Sequence, residues 1–247
     1  MSQVMTGVDV GGSSIKAGLV DIDTGTVVGE IIHEPTPQPS EPEAVLGAVG
    51  RLVARLPESH AIGFAMPVVV QRGKARTAAN IDKRWIGLDG AALVERMLKK
   101  PAVFLNDADA AGLAEMTWGA GRGETGTVIM LTFGTGIGAA LFSDGKLYPN
   151  GELGHVQMHG ADAEEWVSAR VRTEQKLDFP QWTARLNEYL TYIHSLLWPD
   201  LFILGGAVSE RYSEFEPLLQ VPTEVRPAKF AGQAGVIGAA LAAARWA

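Results

Sequence analysis

VFLNDADAAGLAE, residues 103–115, changes character at its fourth position. Val103–Leu105 is an apolar run between Pro101 and a polar pair, the pattern of a short buried strand. Asn106-Asp107 then opens an Ala- and Leu-rich segment that reads as a helix. Both residue types are favoured at helix N-termini, because their side-chain oxygens accept from unpaired backbone N–H groups. A carboxylate at the carboxyl edge of a strand and the mouth of a helix is also where open α/β sheets bind ligands. Asp107 is therefore either an acidic first-turn residue or a group that meets a ligand.

Upstream, residues 4–10 and 14–22 alternate as two strands joined by Gly11-Gly12-Ser13. Asp23-Thr24-Gly25 turns the chain into a third strand, Thr26–His33, so the opening reads as an antiparallel meander. The run from Pro35 to Pro42 is stiff and extended and blocks helix until Glu43. Ala44–Leu56 has apolar residues at helical spacing, His60–Met66 returns to strand, residues 71–88 are irregular, and Leu88–Lys100 reads as a helix. Downstream, Thr127–Phe133 is a buried strand, Gly134-Thr135-Gly136-Ile137-Gly138 turns it back into Ala139–Phe142, and Asp144-Gly145 is a hairpin signal. Residues 162–175 and 180–198 look helical, Leu201–Leu204 is a strand, Gly205-Gly206 leads into another helix, and Gln233–Trp246 is an Ala-rich helix.

An internal repeat links these parts. DVGGSSIKAGLVD (9–21) and TFGTGIGAALFSD (132–144) both read as strand, glycine turn, strand, acidic turn, at an offset of 123 positions. Only Gly11/Gly134, Ala17/Ala140 and Asp21/Asp144 are identical, so the likeness lies in pattern. Two similar lobes, each presenting a glycine hairpin, make a cleft between them natural.

The bulk numbers narrow the function. At 247 residues the chain can bury a full core as one large domain or two lobes. It has no cysteine, which removes disulfides, a thiol nucleophile and thiolate metal sites, and suits the cytoplasm. No secretory signal pattern opens the chain, and its longest apolar-and-glycine run, Ala234–Ala244, is too short to span a bilayer, so no membrane partner is expected. A net charge of −7 argues against nucleic acid. A polyanionic partner would need local cations to hold it against that field.

Glycine turns leave backbone N–H groups bare and allow close approach, which suits phosphate oxygens. Two of them would grip a phosphoryl chain at both ends. Lys16 can neutralise phosphate charge, and Asp9 can hold Mg²⁺ directly or through water. No P-loop pattern occurs. Gly134–Ala139 matches the dinucleotide fingerprint, but Asp144-Gly145 follows too soon for the helix that fingerprint requires. In Gly151-Glu152-Leu153-Gly154-His155, the spacing puts Glu152 and His155 on one side of a turn, where they can bond neighbouring hydroxyls of a sugar. As a zinc site the segment is poor.

With these residues in view, the chain resembles the ROK (repressor, open reading frame, kinase) family of sugar kinases, in particular its polyphosphate-using glucokinase branch. DVGGSSIKAG (9–18), PTPQP (35–39), AANIDKRW (78–85), LNDADAAGLAE (105–115), GTGIGAA (134–140), GELGH (151–155) and PDLFILGGAVS (199–209) follow in family order. The resemblance implies an actin-like, ribonuclease H-like α/β fold of two lobes, residues 1–107 with 234–247 and residues 108–233, around an interlobe cleft. It implies phosphoryl transfer from inorganic polyphosphate, ATP or both to the 6-hydroxyl of glucose, with Mg²⁺, in a cytoplasmic homodimer. Asp107 resembles the general base. Asn80, Asn106, Asp107, Glu152, His155 and, at an uncertain register, Glu164 resemble the sugar contacts. Asp9, Gly11, Gly12, Ser13 and Lys16 match the first donor loop, Gly134, Thr135, Gly136 and Gly138 the second, and Gly205-Gly206 the distal donor site. Lys83, Arg84, Arg122 and Lys146 are candidates for a basic polyphosphate track.

The chain departs from the family pattern in lacking the cysteine-rich zinc loop, in Val68 where glycine is common, and in Ser13 where threonine is usual. Alternatives are a strictly ATP-dependent glucokinase or other hexose kinase, and a non-catalytic sugar sensor on the same fold.

Overall fold

The computed structural model describes residues 3–247. Val4–Val10 (β1), Ser14–Asp21 (β2) and Thr26–Pro35 (β3) form the expected antiparallel meander, with Asp9 directly opposite Lys16. Helix α1, Pro42–Val53, starts on the last proline of the stiff run, where a missing N–H costs nothing, and buries Val45, Leu46, Val49 and Leu52. Ile62–Met66 (β4) pairs parallel with β1. Residues 71–88, expected to be irregular, contain a small ribbon, Val70–Gln71 (β5) with Lys74–Ala75 (β6), and a helical turn at Lys83–Trp85. The Trp85 indole is fully buried and donates to the Ser40 carbonyl at 3.0 Å, which anchors this polar stretch.

Helix α2, Gly90–Leu98, is shorter at both ends than its apolar spacing suggested. Asp89 caps it by accepting from Ala92 N, and Lys99 closes it in the left-handed region. Ala102–Asn106 (β7) then pairs parallel with β4 and passes without a loop into helix α3, Asp107–Trp118. The sheet order is β3-β2-β1-β4-β7.

The second sheet repeats that order. Thr127–Phe133 (β8), Ile137–Ser143 (β9) and Lys146–Gly151 (β10) form a meander, and the parallel strands Leu201–Gly206 (β13) and Glu224–Pro227 (β14) complete the order β10-β9-β8-β13-β14. The repeat read in the sequence is thus a repeat of structure: β1 and β8 start and stop at the same offset. Between β10 and β13 lie the ribbon of Gln157–Met158 (β11) and Ala161–Asp162 (β12), then helices α4 (Glu164–Val167), α5 (Ala169–Glu174) and α6 (Phe179–Leu197). The helix expected over 162–175 is broken at Ser168, whose extended backbone ends α4 and whose hydroxyl caps α5 through Val171 N. The helix expected after Gly205-Gly206 is a kinked 3₁₀ segment, Ala207–Glu214. Helix α7, Ala234–Trp246, closes the chain.

The chain divides into two compact units, one running to Ala114 and joined by Gln233–Ala247, the other Glu115–Gly232. Each has its own apolar core. Among the described residues, no helix is long and apolar enough to cross a membrane.

Candidate active site

In the first unit β1, β4 and β7 run parallel, so their carboxyl ends share one edge of the sheet. That edge carries Asp9, the Gly11 turn, Pro67-Val68 and Asn106-Asp107. Asn106 is buried and caps α3: its Oδ1 accepts from Asp109 N at 3.0 Å, and its amide donates to the Val68 carbonyl at 3.1 Å. The cap holds Asp107 at the first helical position. Asp107 is half-buried, and its Oδ1 accepts from Ala108 N at 2.8 Å. The helix dipole favours negative charge at this place.

Asp9 is half-buried on β1 beside the first turn of α7, where a Cβ on Gly235 would lie 2.6 Å from its Oδ2. Burial pushes its carboxyl above the ordinary range, and the Lys16 ammonium across the ladder pulls it back. The Gly11-Gly12-Ser13 turn is strapped by the proline-rich segment. Thr36 Oγ1 donates to Gly11 O at 2.6 Å, Gln38 Nε2 to Gly12 O at 3.1 Å, and Thr36 N to Ser13 O at 3.0 Å. These bonds occupy carbonyls. Among the described residues the N–H groups of Gly12 and Ser13 have no protein partner. Asn80 packs on this turn, its carbonyl oxygen 3.3 Å from where a Gly12 Cβ would sit.

The second turn is held differently. Gly134 N donates to Gly136 O (3.0 Å), Arg170 N to Gly134 O (3.0 Å), and Ile137 N to Glu164 Oε2 (3.1 Å). Thr135 and Gly136 keep unpartnered N–H groups among the described residues. Gly138 already belongs to β9, opposite Thr132, so the turn proper is Gly134–Gly136. The strand that follows also disposes of the dinucleotide reading, which needs a helix there. Gly205 and Gly206 end β13 beside Thr132 and Phe133, the last residues before the turn. Gly206 has φ +82°, and a Cβ there would collide with the Phe133 carbonyl, so no other residue fits so close to the strand.

Glu152 precedes and His155 ends a 3₁₀ turn, Leu153–His155, that the Tyr189 hydroxyl pins through Leu153 O at 3.2 Å. Their side chains face each other, His155 Nε2 to Glu152 Oε2, at 3.4 Å. Glu164 belongs with them: a Cβ on Gly136 would strike its Oε2, and one on Gly154 would strike the Ile137 carbonyl at 2.5 Å with that Oε2 3.3 Å away. Partial burial raises the Glu152 carboxyl, the nearby Glu164 charge adds to this, and His155 opposes it. Burial would lower the His155 imidazole, but bonding to Asp162 and the charges of Glu164, Glu152 and Asp162 raise it overall. Glu152, His155, Glu164 and the second glycine turn are therefore one assembly.

Several contributors escaped the sequence. Thr36 and Gln38 are the polar residues within PTPQP, and that placement was the available signal for the strap. Asp162 and Arg170 gave none. Of the basic-track candidates, Arg84 is occupied by Glu41 and Asp82, with N–O distances of 2.5 and 3.0 Å.

Two matched meander sheets, each ending in an amide-lined glycine turn, and a carboxylate at a strand–helix junction define an actin-like α/β fold of the sugar-kinase type. The pattern of the ROK family matches residues 5–175, and the chain belongs to that family. A polyphosphate glucokinase of Mycobacterium tuberculosis (strain CDC 1551 / Oshkosh) is 44% identical over 237 residues, 96% of this chain and 89% of that protein. The inorganic polyphosphate/ATP-glucomannokinase of Arthrobacter sp. strain KM superposes with TM-score 0.93 at 43% identity, over 97% of each chain. A ROK family glucokinase from Streptomyces griseus, solved with glucose and AMPPNP, superposes with TM-score 0.85 at 25% identity, over 98% of this chain and 99% of that one.

Proposed function

We propose that the protein is a glucokinase that transfers the terminal phosphoryl group of inorganic polyphosphate to the 6-hydroxyl of glucose and accepts ATP as a second donor. The observation that carries this reading is the recurrence of one device: a strand, a glycine turn with two consecutive bare N–H groups, and a returning strand, at Gly11–Ser13 and again at Gly134–Gly136. Likeness over nearly the whole chain to the mycobacterial and Arthrobacter enzymes supports it and favours polyphosphate.

Asn80, Asn106, Glu152, His155 and Glu164 bind glucose. Asp107 takes the proton of the 6-hydroxyl as the new O–P bond forms and the bridging P–O bond to the donor breaks. Such a base contributes ~10²–10⁴-fold. Bare turn amides and Lys16 neutralise charge on the transferring group, which in a loose transition state is most of catalysis. Asp9 would hold Mg²⁺, directly or through water, as a hard oxygen whose burial opposes its own uncompensated charge. Bound there, the ion would offset the charge of the departing phosphate.

On a chain of net charge −7 the donor needs a local cation beyond Lys16. Arg170 supplies it. Its backbone is bonded to the second turn, its side chain is exposed, and it has no carboxylate partner among the described residues.

Purified protein with glucose and Mg²⁺, given polyphosphate and ATP in separate reactions, tests the reading. Glucose 6-phosphate should form from both, faster from polyphosphate. Transfer from ATP alone would remove the donor assignment, and transfer from neither would leave the sugar-sensor alternative. Asp107→Asn should fold normally and lose ~10²–10⁴-fold in kcat. At low donor, added salt should slow the polyphosphate reaction steeply, since a multivalent ligand is screened.

A further inference from the structure

The ribbon of β11 and β12 is a minimal sheet, and its dimensions serve one side chain. Only two residue pairs hold it, Gln157 with Asp162 and Met158 with Ala161. The loop between them is His159-Gly160, with φ of +54° and +83°, the two left-handed residues that a two-residue hairpin turn demands. So short a ribbon has little stability of its own. It is fastened from outside: Ala163 N donates to Val156 O at 2.9 Å, His159 bonds Glu188 at 2.7 Å, and Met158 is buried.

The ribbon delivers Asp162 to His155. Asp162 Oδ2 lies 2.8 Å from His155 Nδ1, and Oδ1 accepts from the Gln157 amide across the ribbon. Both carboxylate oxygens are thus committed, one to fixing the ring and one to fixing Asp162 itself. An imidazole whose Nδ1 faces a carboxylate carries its proton there, which sets the tautomer and stops the ring from flipping. The other edge, Nε2, is left towards Glu152 at 3.4 Å, too long to hold it firmly.

We propose that Asp162 is a positioning residue for glucose: it locks the orientation and tautomer of His155, so that Nε2 and the Glu152 carboxylate address neighbouring hydroxyls of the sugar. The inference rests on the glucokinase reading and adds to it a residue that does not itself touch the substrate. The charged groups facing His155 are Glu152, Asp162 and Glu164, all acidic. The Asp162 carboxyl is held below its ordinary range by the His155 bond, as a partner of a protonated ring must be. Asp162 therefore also keeps His155 protonated to higher pH than the other two carboxylates alone would.

The test is Asp162→Asn, which preserves size and removes charge. Nitrogen-detected NMR of the His155 ring across pH reads tautomer and titration without reference to turnover. Steady-state kinetics at saturating donor read glucose KM and kcat. The titration of His155 should move to lower pH, the Nδ1–H tautomer should lose its dominance, and glucose KM should rise about tenfold, the weight of one well-made hydrogen bond. Donor KM should hold and kcat should stay within about threefold. Gln157→Ala, which frees Asp162 without touching the ring contact, should move both readouts the same way by less, and it serves if the Asn protein aggregates.

An unchanged His155 titration, or an unchanged glucose KM beside an active wild type, overturns the inference. A wild type that transfers no phosphate from either donor is the separate failure of the glucokinase reading.

Discussion

The two sheets share a strand order and are covered by opposite means. In the first unit α7 lies against β1 and β4 with 10 of its 13 residues buried, all of them alanine or glycine except Val236, Ile237 and Leu241. A Cβ on Gly7 or Gly63 would run into the helix carbonyls of Val236 or Ala239, and one on Gly238 into Ala110 O. Backbone touches backbone there. In the second unit the space is filled by rings: Phe133 meets Trp182 and Tyr189 edge-on at 5.7 and 6.4 Å, and Trp182 meets Phe215 at 5.3 Å. One topology tolerates either filling, but the two fail in opposite directions. The first cannot accept added atoms, and the second cannot lose them.

Gly63→Val is the most damaging change this comparison predicts. Its side chain would have to displace the main chain of α7, which no rotamer can relieve. We expect a cost above about 5 kcal/mol, leaving the protein unfolded by circular dichroism. A cooperative melt near that of the wild type would show that the helix can lift off the sheet. Trp182→Ala comes next. It removes a fully buried ring and its 2.8 Å bond to Val167 O, for about 3–5 kcal/mol in urea unfolding. A loss below about 1 kcal/mol would mean that the rings are loosely packed.

The same contrast decides what the sequence disclosed. The meanders were legible because strand alternation and glycine turns are local signals, and the repeat emerged from two such signals at one spacing. Helix α7 was legible as a helix, but no local feature says that Gly7 and Gly63 will receive it. The break at Ser168 was hidden because residues 162–175 keep helical spacing while a serine hydroxyl competes for the backbone. At the site, Asp107, Glu152 and His155 were singled out as residue types in telling places. Glu164 was named without a secure register, and the structure sets its carboxylate against Ile137 N and Gly136. Asp162 and Arg170 stayed invisible because their roles come from a small ribbon and a backbone bond to a remote turn.

The glycine turns carry the comparison into function. Neutral donors hold the first, while a carboxylate, Glu164, holds the second and sets a negative charge beneath the bare amides to which the proposed function assigns the phosphoryl donor. Gln38→Ala should loosen the first turn and raise donor KM about threefold, with glucose KM unchanged. Glu164→Gln keeps an acceptor for Ile137 N and removes the charge, so donor KM should fall about threefold while glucose KM rises. Equal behaviour of the two variants would mean that the turns are interchangeable supports.

The smallest effect is in pH, and it centres on the second unit. His155 is raised in the folded protein above its ordinary 6.5, so its contribution to stability is complete below that value and is lost as pH rises through the folded titration. Glu152 is raised above 4.5, which means that burial penalises its charged form and that the penalty grows over the same upward direction. Asp162 is lowered and works the other way: its contribution stands above 3.8 and is lost as pH falls through its folded titration. As pH rises above about 6.5 the wild type should therefore lose a small amount of stability in urea melts, because His155 gives up its proton while three carboxylates still face it. His155→Gln cannot titrate and should lose that part of the slope. A slope that survives in His155→Gln would belong to some other group, the first unit's Asp9 among them, since its raised carboxyl is a penalty that also grows with pH and is present in both proteins.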